Sequence, residues 1–380
     1  MGLVSKSVKL LKTDPGSLPA TVRKWVHRKA ALDYRLGRTA QVTLPRAVTF
    51  EVTGRCNLRC KMCDLYGSDA DVDSPRKSGR PQDHGEMTVD DWKTLADSLA
   101  PSRPTISFTG GEPLLVKGIV EVIRHVKRLG MTATMTTNGT LLERHAAQLV
   151  DSGIDNVTVS IDGPEKVHEA IRGIEGCFGA TCRGVEALMA EREHRGSATP
   201  RLQVNSTITG SNYDALNEIV PIAQRLGAFK HVFSHLWFWT AEMAEAHNKL
   251  YAGQWGADAQ NLGGLEGMDV ERLIEEVRRI RRSRSAAEVE FVPEIDEEDI
   301  RTYYNKPAAP IKTRCRAPWM AIRVLPNGDV MPCLDLVLGN VREASFEDLW
   351  RGDKMSEFRQ ALLDKGLFPA CTRCCWLFSY

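Results

Sequence analysis

From residue 47 onward the chain repeats one pattern: a short alternating strand, a loop, then apolar residues at helical spacing. The strands read AVTFEV, TISFTGG, MTATMTT, NVTVSID, RLQVNSTI and KHVFSHLWFW, the last ending near residue 240. Between them, Ile119, Val120, Ile123 and Val126 recur as on one helix face. So do Leu142, His145, Ala146 and Leu149, and then Leu216, Ile219, Val220, Ala223 and Leu226. Strands that alternate with helices form a parallel sheet with helical crossovers. The fold class is therefore α/β, and six such units over 47–240 predict a partial (β/α)6 TIM-like barrel. In such barrels chemistry gathers at the C-terminal ends of the strands.

Three further segments flank this core. Residues 1–46 hold ten Lys/Arg against Asp14 and Asp33. Val22, Trp25, Val26, Leu32 and Leu36 fall near one face of a basic helix. Such a helix can touch an anionic membrane surface peripherally, or grip an acidic partner, or pack on the core with a solvated outer face. Residues 241–310 read as a connector, with a helix carrying Val270, Leu273, Ile274, Val277 and Ile280, a strand-like AEVEFV, and an acidic run EIDEEDI expected on a solvated face. Residues 311–380 form a small cysteine-bearing module. The net charge of +1 gives no global field for nucleic acid. No apolar run approaches the roughly 18–20 residues of a membrane span, and no signal peptide is evident. A cytoplasmic protein is expected.

Ten cysteines in a chain of this kind argue for metal or redox chemistry over a disulfide framework. Cys56, Cys60 and Cys63 follow the first strand directly, at the expected barrel mouth. Thiolates are soft ligands suited to zinc or iron–sulfur clusters. Three of them can hold three irons of a [4Fe–4S] cluster and leave one iron open. A zinc site completed by a distant His or Cys, or a loop of unligated thiols, is the alternative. In the tail, the NGDV turn around Gly328 predicts a hairpin that brings Cys315 and Cys333 together, and Cys371-x2-Cys374 makes a tight chelate loop. Four thiolates there fit a closed site, with structural zinc as one option. Cys177 and Cys182 read as small buried thiols in a loop.

The Cys-x3-Cys-x2-Cys spacing after the first strand of a partial barrel resembles the radical S-adenosylmethionine (SAM) superfamily. The resemblance implies that SAM chelates the open iron and is reductively cleaved to a 5′-deoxyadenosyl radical, which removes a substrate hydrogen. FTGGEPLL supplies Gly110, Gly111, Glu112 and Pro113 after the second strand. Its glycines allow close backbone approach and Glu112 can accept a bond from an ammonium; in the family this motif holds the methionine amino group. By the same resemblance Asn138, in TTNGT, lies where the SAM ribose is contacted. Ser160 and Arg172 suit its carboxylate, with a surface salt bridge as the other reading of Arg172. STITGSN, around Ile208 and Gly210, is similar to the adenine-contact region. The tail resembles the SPASM/twitch extension, and its cysteine count favours the shorter twitch form with one auxiliary [4Fe–4S] cluster as an electron conduit. Cys375 leaves the last ligand open between two positions; Cys374 fits the spacing.

This resemblance implies oxidation, dehydrogenation or rearrangement of a small-molecule, carbohydrate or lipid-linked substrate, with electrons from a reductase such as flavodoxin or ferredoxin. A peptide or protein maturase is the alternative, disfavoured by an N-terminal region too short for a leader-recognition domain. A non-catalytic iron–sulfur carrier or zinc scaffold is the alternative of another class. His235 and Asp335 are candidate bases by position alone.

Overall fold

The computed structural model describes residues 29–63, 85–251, 254–257, 264–283, 285, 287–333 and 336–379, without the side chains of 378 and 379. Asp335 lies outside the described residues, as do Val22, Trp25 and Val26 of the expected basic helix face.

One ten-stranded sheet organises the chain, in the order β10-β9-β8-β1-β2-β3-β4-β5-β6-β7. Strands β1 (Ala47–Glu51), β2 (Thr105–Thr109), β3 (Thr132–Thr137), β4 (Asn156–Ser160), β5 (Arg201–Ile208) and β6 (Lys230–His235) are the six that the sequence pattern predicts. They run parallel. The connector adds β7 (Glu288–Val292) parallel to β6. The cysteine module adds β8 (Ala321–Val324) parallel to β1 on the other side. Strands β9 (Asp329–Met331) and β10 (Gly339–Asn340) continue antiparallel. The sheet thus runs across the expected borders near 240 and 311. Uncovered, β1 and β6 would expose rows of unpaired backbone donors and acceptors, so strands from the flanking segments pair with them.

Residues alternate strictly between the two faces of β1 to β4. The outer face carries Val48, Phe50, Ile106, Phe108, Met135 and Val159, all fully buried under the helices. Each such side chain contributes about 1.5–3 kcal/mol when it leaves water. The inner face carries Thr49, Glu51, Ser107, Thr109, Thr134, Thr136, Thr158 and Ser160, all partly exposed. The lumen is therefore walled by hydroxyls and a carboxylate.

Local expectations are sharpened at three places. Cys177 and Cys182 are buried, but they lie on the helix Cys177–His194 and not in a loop; Gly176 in the left-handed region starts it. The acidic run becomes the first turn of helix Glu297–Asn305, capped by Asp296, with Glu297 paired to Arg278 at 2.5 Å. Carboxylates there complement the helix dipole. Residues 29–35 are helical, yet Ala30 and Asp33 are the buried positions while Leu32 and Leu36 are exposed. Asp33 turns inward because it accepts from Thr43 N and Oγ1 at 2.7 and 2.6 Å, tying the helix to the following loop. Trp319 Nε1 donates to Arg38 O at 2.6 Å, which fixes this segment against the cysteine module. Among the described residues no helix is long and apolar enough to cross a membrane.

Candidate functional site

A cavity of about 200 Å³ opens at the C-terminal ends of β1 to β5. Cys56, Cys60, Cys63, Gly110, Gly111, Asn138, Ser160 and Arg172 all line it, together with Thr109, Thr136, Thr137 and Thr207. Residues spread over more than 150 positions of sequence meet because parallel strands place all their C-terminal ends at one rim.

The cysteine loop is zipped to the glycine turn by backbone bonds. Gly111 N donates to Thr53 O at 2.7 Å, and Glu112 N to Arg55 O at 2.8 Å. A Cβ at Gly110 would sit 2.4 Å from Thr53 O, and one at Gly111 would sit 2.1 Å from Arg55 O. Only glycine permits this approach. Beneath it, Glu112 is fully buried and does not line the cavity. It accepts from Leu114 N (3.0 Å), Thr137 Oγ1 (2.8 Å) and Asn138 N (2.8 Å). Three of about four acceptor positions on a carboxylate are thus engaged by the protein itself. Burial raises its pKa, against the lowering effect of these bonds. Glu112 accordingly braces the ends of β2 and β3. Pro113 likewise stays buried, opening the short turn Pro113–Leu115.

Asn138 is also committed. Its Oδ1 accepts from Thr140 N and Oγ1 at 3.0 and 2.7 Å, and its Nδ2 donates to Asn57 Oδ1 at 2.9 Å. Because Asn57 lies between Cys56 and Cys60, this amide pair ties the thiol loop to the end of β3. Thr136 and Ser160 bring hydroxyls to the cavity wall.

Arg172 ends helix Glu165–Arg172 and is buried at the cavity wall. Its Nε donates to Asp162 Oδ2 at 2.6 Å, and Nη1 donates to Cys60 Sγ at 3.6 Å. Burial works against its charge, but Asp162 and the Cys60 sulfur hold its pKa above the ordinary value. The sequence reading of a surface salt bridge is replaced by a buried one. Asp162 was legible in principle, two residues after Ser160 in the same segment. Burial pushes the Cys56 thiol up, while the Leu58 N–H bond opposes it.

His235 is not in the cavity. It pairs with Ile208 in register, on the face that carries Phe233, while its neighbour Ser234 pairs with cavity-lining Thr207. A residue at that parity points into the helical layer. His235 Nδ1 meets Tyr304 Oη at 2.7 Å, and burial, with the charge of Arg281, lowers its pKa to about 3. Glu51, the last residue of β1, is an inner-face carboxylate that does not itself line the cavity. It pairs in register with cavity-lining Thr109, and Arg323 of β8 lies 3.6 Å from it. The alternation in AVTFEV held this signal, since Glu51 shares its parity with Thr49.

In the tail, β8 and β9 form the expected hairpin, with Gly328 at positive φ in its turn. Cys315, Cys333, Cys371 and Cys374 lie close enough to shift one another. Burial pushes Cys315 up to about 12, and Cys371 upward as well. Cys374 is held low by hydrogen bonds from Cys333 and Cys375, against burial, with help from Trp376 and Leu377 N–H groups. Four clustered thiols, three of them with raised pKa, are a donor set that suits a metal group. Among the described residues, no three His, Cys, Asp or Glu are arranged to grip a single metal ion. Both thiol sets would fit iron–sulfur clusters by donor chemistry, the barrel set with three thiols and the tail set with four.

Residues 50–196 match the family model of the radical SAM superfamily, and residues 315–375 match that of the SPASM iron-sulfur cluster-binding domain. An AdoMet-dependent heme synthase of Oleidesulfovibrio alaskensis is 27% identical over 87% of this chain and 80% of its own length. The subtilosin biosynthesis protein AlbA of Bacillus subtilis is 24% identical over 84% of this chain and 62% of its own. Among solved structures, Streptococcus suis SuiB bound to S-adenosylmethionine superposes with a TM-score of 0.60 at 17% identity, covering 91% of this chain and 76% of that one. Native anSMEcpe with bound AdoMet gives 0.55 at 17% identity, covering 83% of each. The barrel with its cysteine cavity and the thiol-rich tail therefore place the chain in the radical SAM superfamily with a SPASM iron–sulfur cluster-binding domain, families whose cofactors are SAM and [4Fe–4S] clusters.

Proposed function

We propose that the cavity at the strand ends is where SAM is cleaved, and that the enzyme oxidises a polar substrate held in the barrel lumen. The observation that carries this reading is the convergence of Cys56, Cys60 and Cys63 with Gly110, Gly111, Ser160 and Arg172 on one wall. The three thiols hold the catalytic cluster, Gly110 and Gly111 offer backbone to the methionine amino group, and Ser160 and Arg172 face its carboxylate. When bound, the cluster and SAM supply a 5′-deoxyadenosyl radical that removes a substrate hydrogen. Cys315, Cys333, Cys371 and Cys374 would hold the auxiliary cluster, which would supply an acceptor for the electron left on the substrate.

The chain's own part is positioning and proton transfer. The hydroxyl-lined lumen favours a substrate that exchanges hydrogen bonds with Thr109, Thr136, Ser160 and Thr207 over a lipid chain. Glu51, partnered by Arg323, takes the proton that oxidation releases; it replaces His235 in that role. The names of the relatives include a heme synthase, an Fe-coproporphyrin III synthase and a bacteriocin biosynthesis protein, which makes an iron porphyrin and a peptide the first substrates to try.

The test is anaerobic. Reconstituted protein with dithionite cleaves SAM to 5′-deoxyadenosine, and the triple Cys56, Cys60, Cys63→Ala variant yields none. Formation of S-adenosylhomocysteine as the sole nucleoside product would defeat the reading. Adding an iron porphyrin or a candidate peptide then shows which one accelerates SAM cleavage.

A further inference from the structure

The buttress behind Cys60 bears on the redox poise of the site. Asp162 is fully buried, and its two carboxylate oxygens face different ways. Oδ1 accepts from Thr207 N at 2.8 Å, while Oδ2 holds Arg172 through Nε at 2.6 Å and Nη2 at 2.5 Å. The third guanidinium nitrogen is left for Cys60 Sγ. Backbone bonds lock this geometry. Arg59 N donates to Arg172 O, and Lys61 N to Ile171 O, both at 3.0 Å. The thiol loop and the helix end therefore move together, and the guanidinium cannot swing away from Cys60 without breaking its two bonds to Asp162.

We propose that Arg172, aimed by Asp162, is a positioning residue that sets the reduction potential of the barrel cluster through its hydrogen bond to Cys60 Sγ. The inference rests on Cys60 being a ligand of that cluster. A donor on a ligating sulfur draws electron density from the cluster and stabilises the reduced, more negative state, which raises the potential. Asp162 cancels the net charge of Arg172. What reaches the sulfur is a directed N–H, and the rigid fork of the guanidinium is suited to hold a carboxylate on one edge and a second acceptor on another.

The test is a dithionite redox titration of the reconstituted full chain, following the electron paramagnetic resonance signal that SAM perturbs. R172M/D162N removes the donor with no change in net charge. Its reduction equilibrium should fall about tenfold, which is about 59 mV for a one-electron couple. D162N leaves the guanidinium uncompensated beside Cys60, and its potential should rise. Wild-type potentials in both variants, or shifts of the same sign, would overturn the proposal. Loss of the barrel iron in both would also overturn it, by marking the pair as a clamp only. If the double variant alone fails to load, the sign of the D162N shift decides. C60A separates the underlying reading: a SAM-perturbed signal that survives in C60A removes Cys60 from the ligand set, whatever the arginine variants do.

Discussion

Gly111→Ala should disable the site by moving a backbone, not a side chain. The added Cβ would lie 2.1 Å from Arg55 O and 3.0 Å from Gly54 O. Both are main-chain atoms and cannot rotate aside, so the turn ahead of Cys56 must retreat by more than about 1 Å to restore ordinary contact. That stretches the bonds Gly111 N–Thr53 O and Glu112 N–Arg55 O. Two such bonds contribute about 0.5–1.5 kcal/mol each, and the overpacking costs about 1–3 kcal/mol. The total cost is about 2–6 kcal/mol, concentrated where the thiol loop meets the glycine turn. A displacement of 1 Å can cost on the order of 100-fold in rate. The assay is 5′-deoxyadenosine formation at saturating SAM, normalised to iron content. Gly54→Ala is the matched control, because a Cβ there meets nothing within 4 Å. Wild-type turnover in G111A, or equal damage in G54A, would refute the steric argument.

Three further outcomes are expected. In E112Q the amide cannot accept all three N–H and O–H bonds, so stability falls by about 1–3 kcal/mol. Because burial raises the Glu112 pKa, the native state keeps that proton longer than the unfolded chain does, and stability declines as pH rises from the ordinary carboxylate value to the raised one. Denaturation at a series of pH values should show this decline in wild type and lose it in E112Q. His235→Phe should leave the near-neutral pH profile of SAM cleavage unchanged, since His235 titrates near 3 and faces the helical layer; a lost limb of that profile would contradict this. Cys374→Ala should lose the tail iron while Cys375→Ala keeps it, and the reverse result in an iron assay would exchange the two ligands.

The sequence displays what is periodic and local, and hides what depends on partners far away. The six strands of the barrel core were readable because alternation and β-branching repeat within each. The eight cavity residues expected from motifs do meet, seven at strand ends or in the loops after them and Arg172 from the end of the helix that follows β4. The roles of individual side chains were less legible. Glu112 and Asn138 look like ligand groups until Thr137, Leu114, Asn57 and Thr140 are seen to occupy them. These partners are set by strand register, which no single motif encodes. His235 invites misreading for a simpler reason: it and Ser234 differ only in parity, and β6 is buried on both faces at Val232 and Phe233.

The tail does more than carry cysteines. A sheet that ends at β1 on one side and β7 on the other would leave a seam along the barrel. Strand β8 covers the β1 edge through a parallel register from Ala47–Ala321 to Phe50–Val324. The short helix Cys375–Ser379 touches both β7 and the turn Ala317–Met320 that precedes β8. Lys312 Nζ donates to Leu377 O at 2.8 Å, and Arg373 donates to the carbonyls of Thr302, Tyr303 and Lys306 at the end of helix Glu297–Asn305. One buried arginine thus caps the connector helix and lies beside Cys374. The four tail thiols sit within this joint, so a metal group bound there would also fasten the seam. The same β1–β8 pairing brings Arg323 to Glu51. A tail that loses its metal group should therefore loosen the barrel rim as well as the electron path. Hydrogen exchange on the amides of β1 and β8 separates the two effects: faster exchange in a Cys371/Cys374 double alanine variant supports the fastening role, and unchanged protection there leaves the tail group as an electron relay alone.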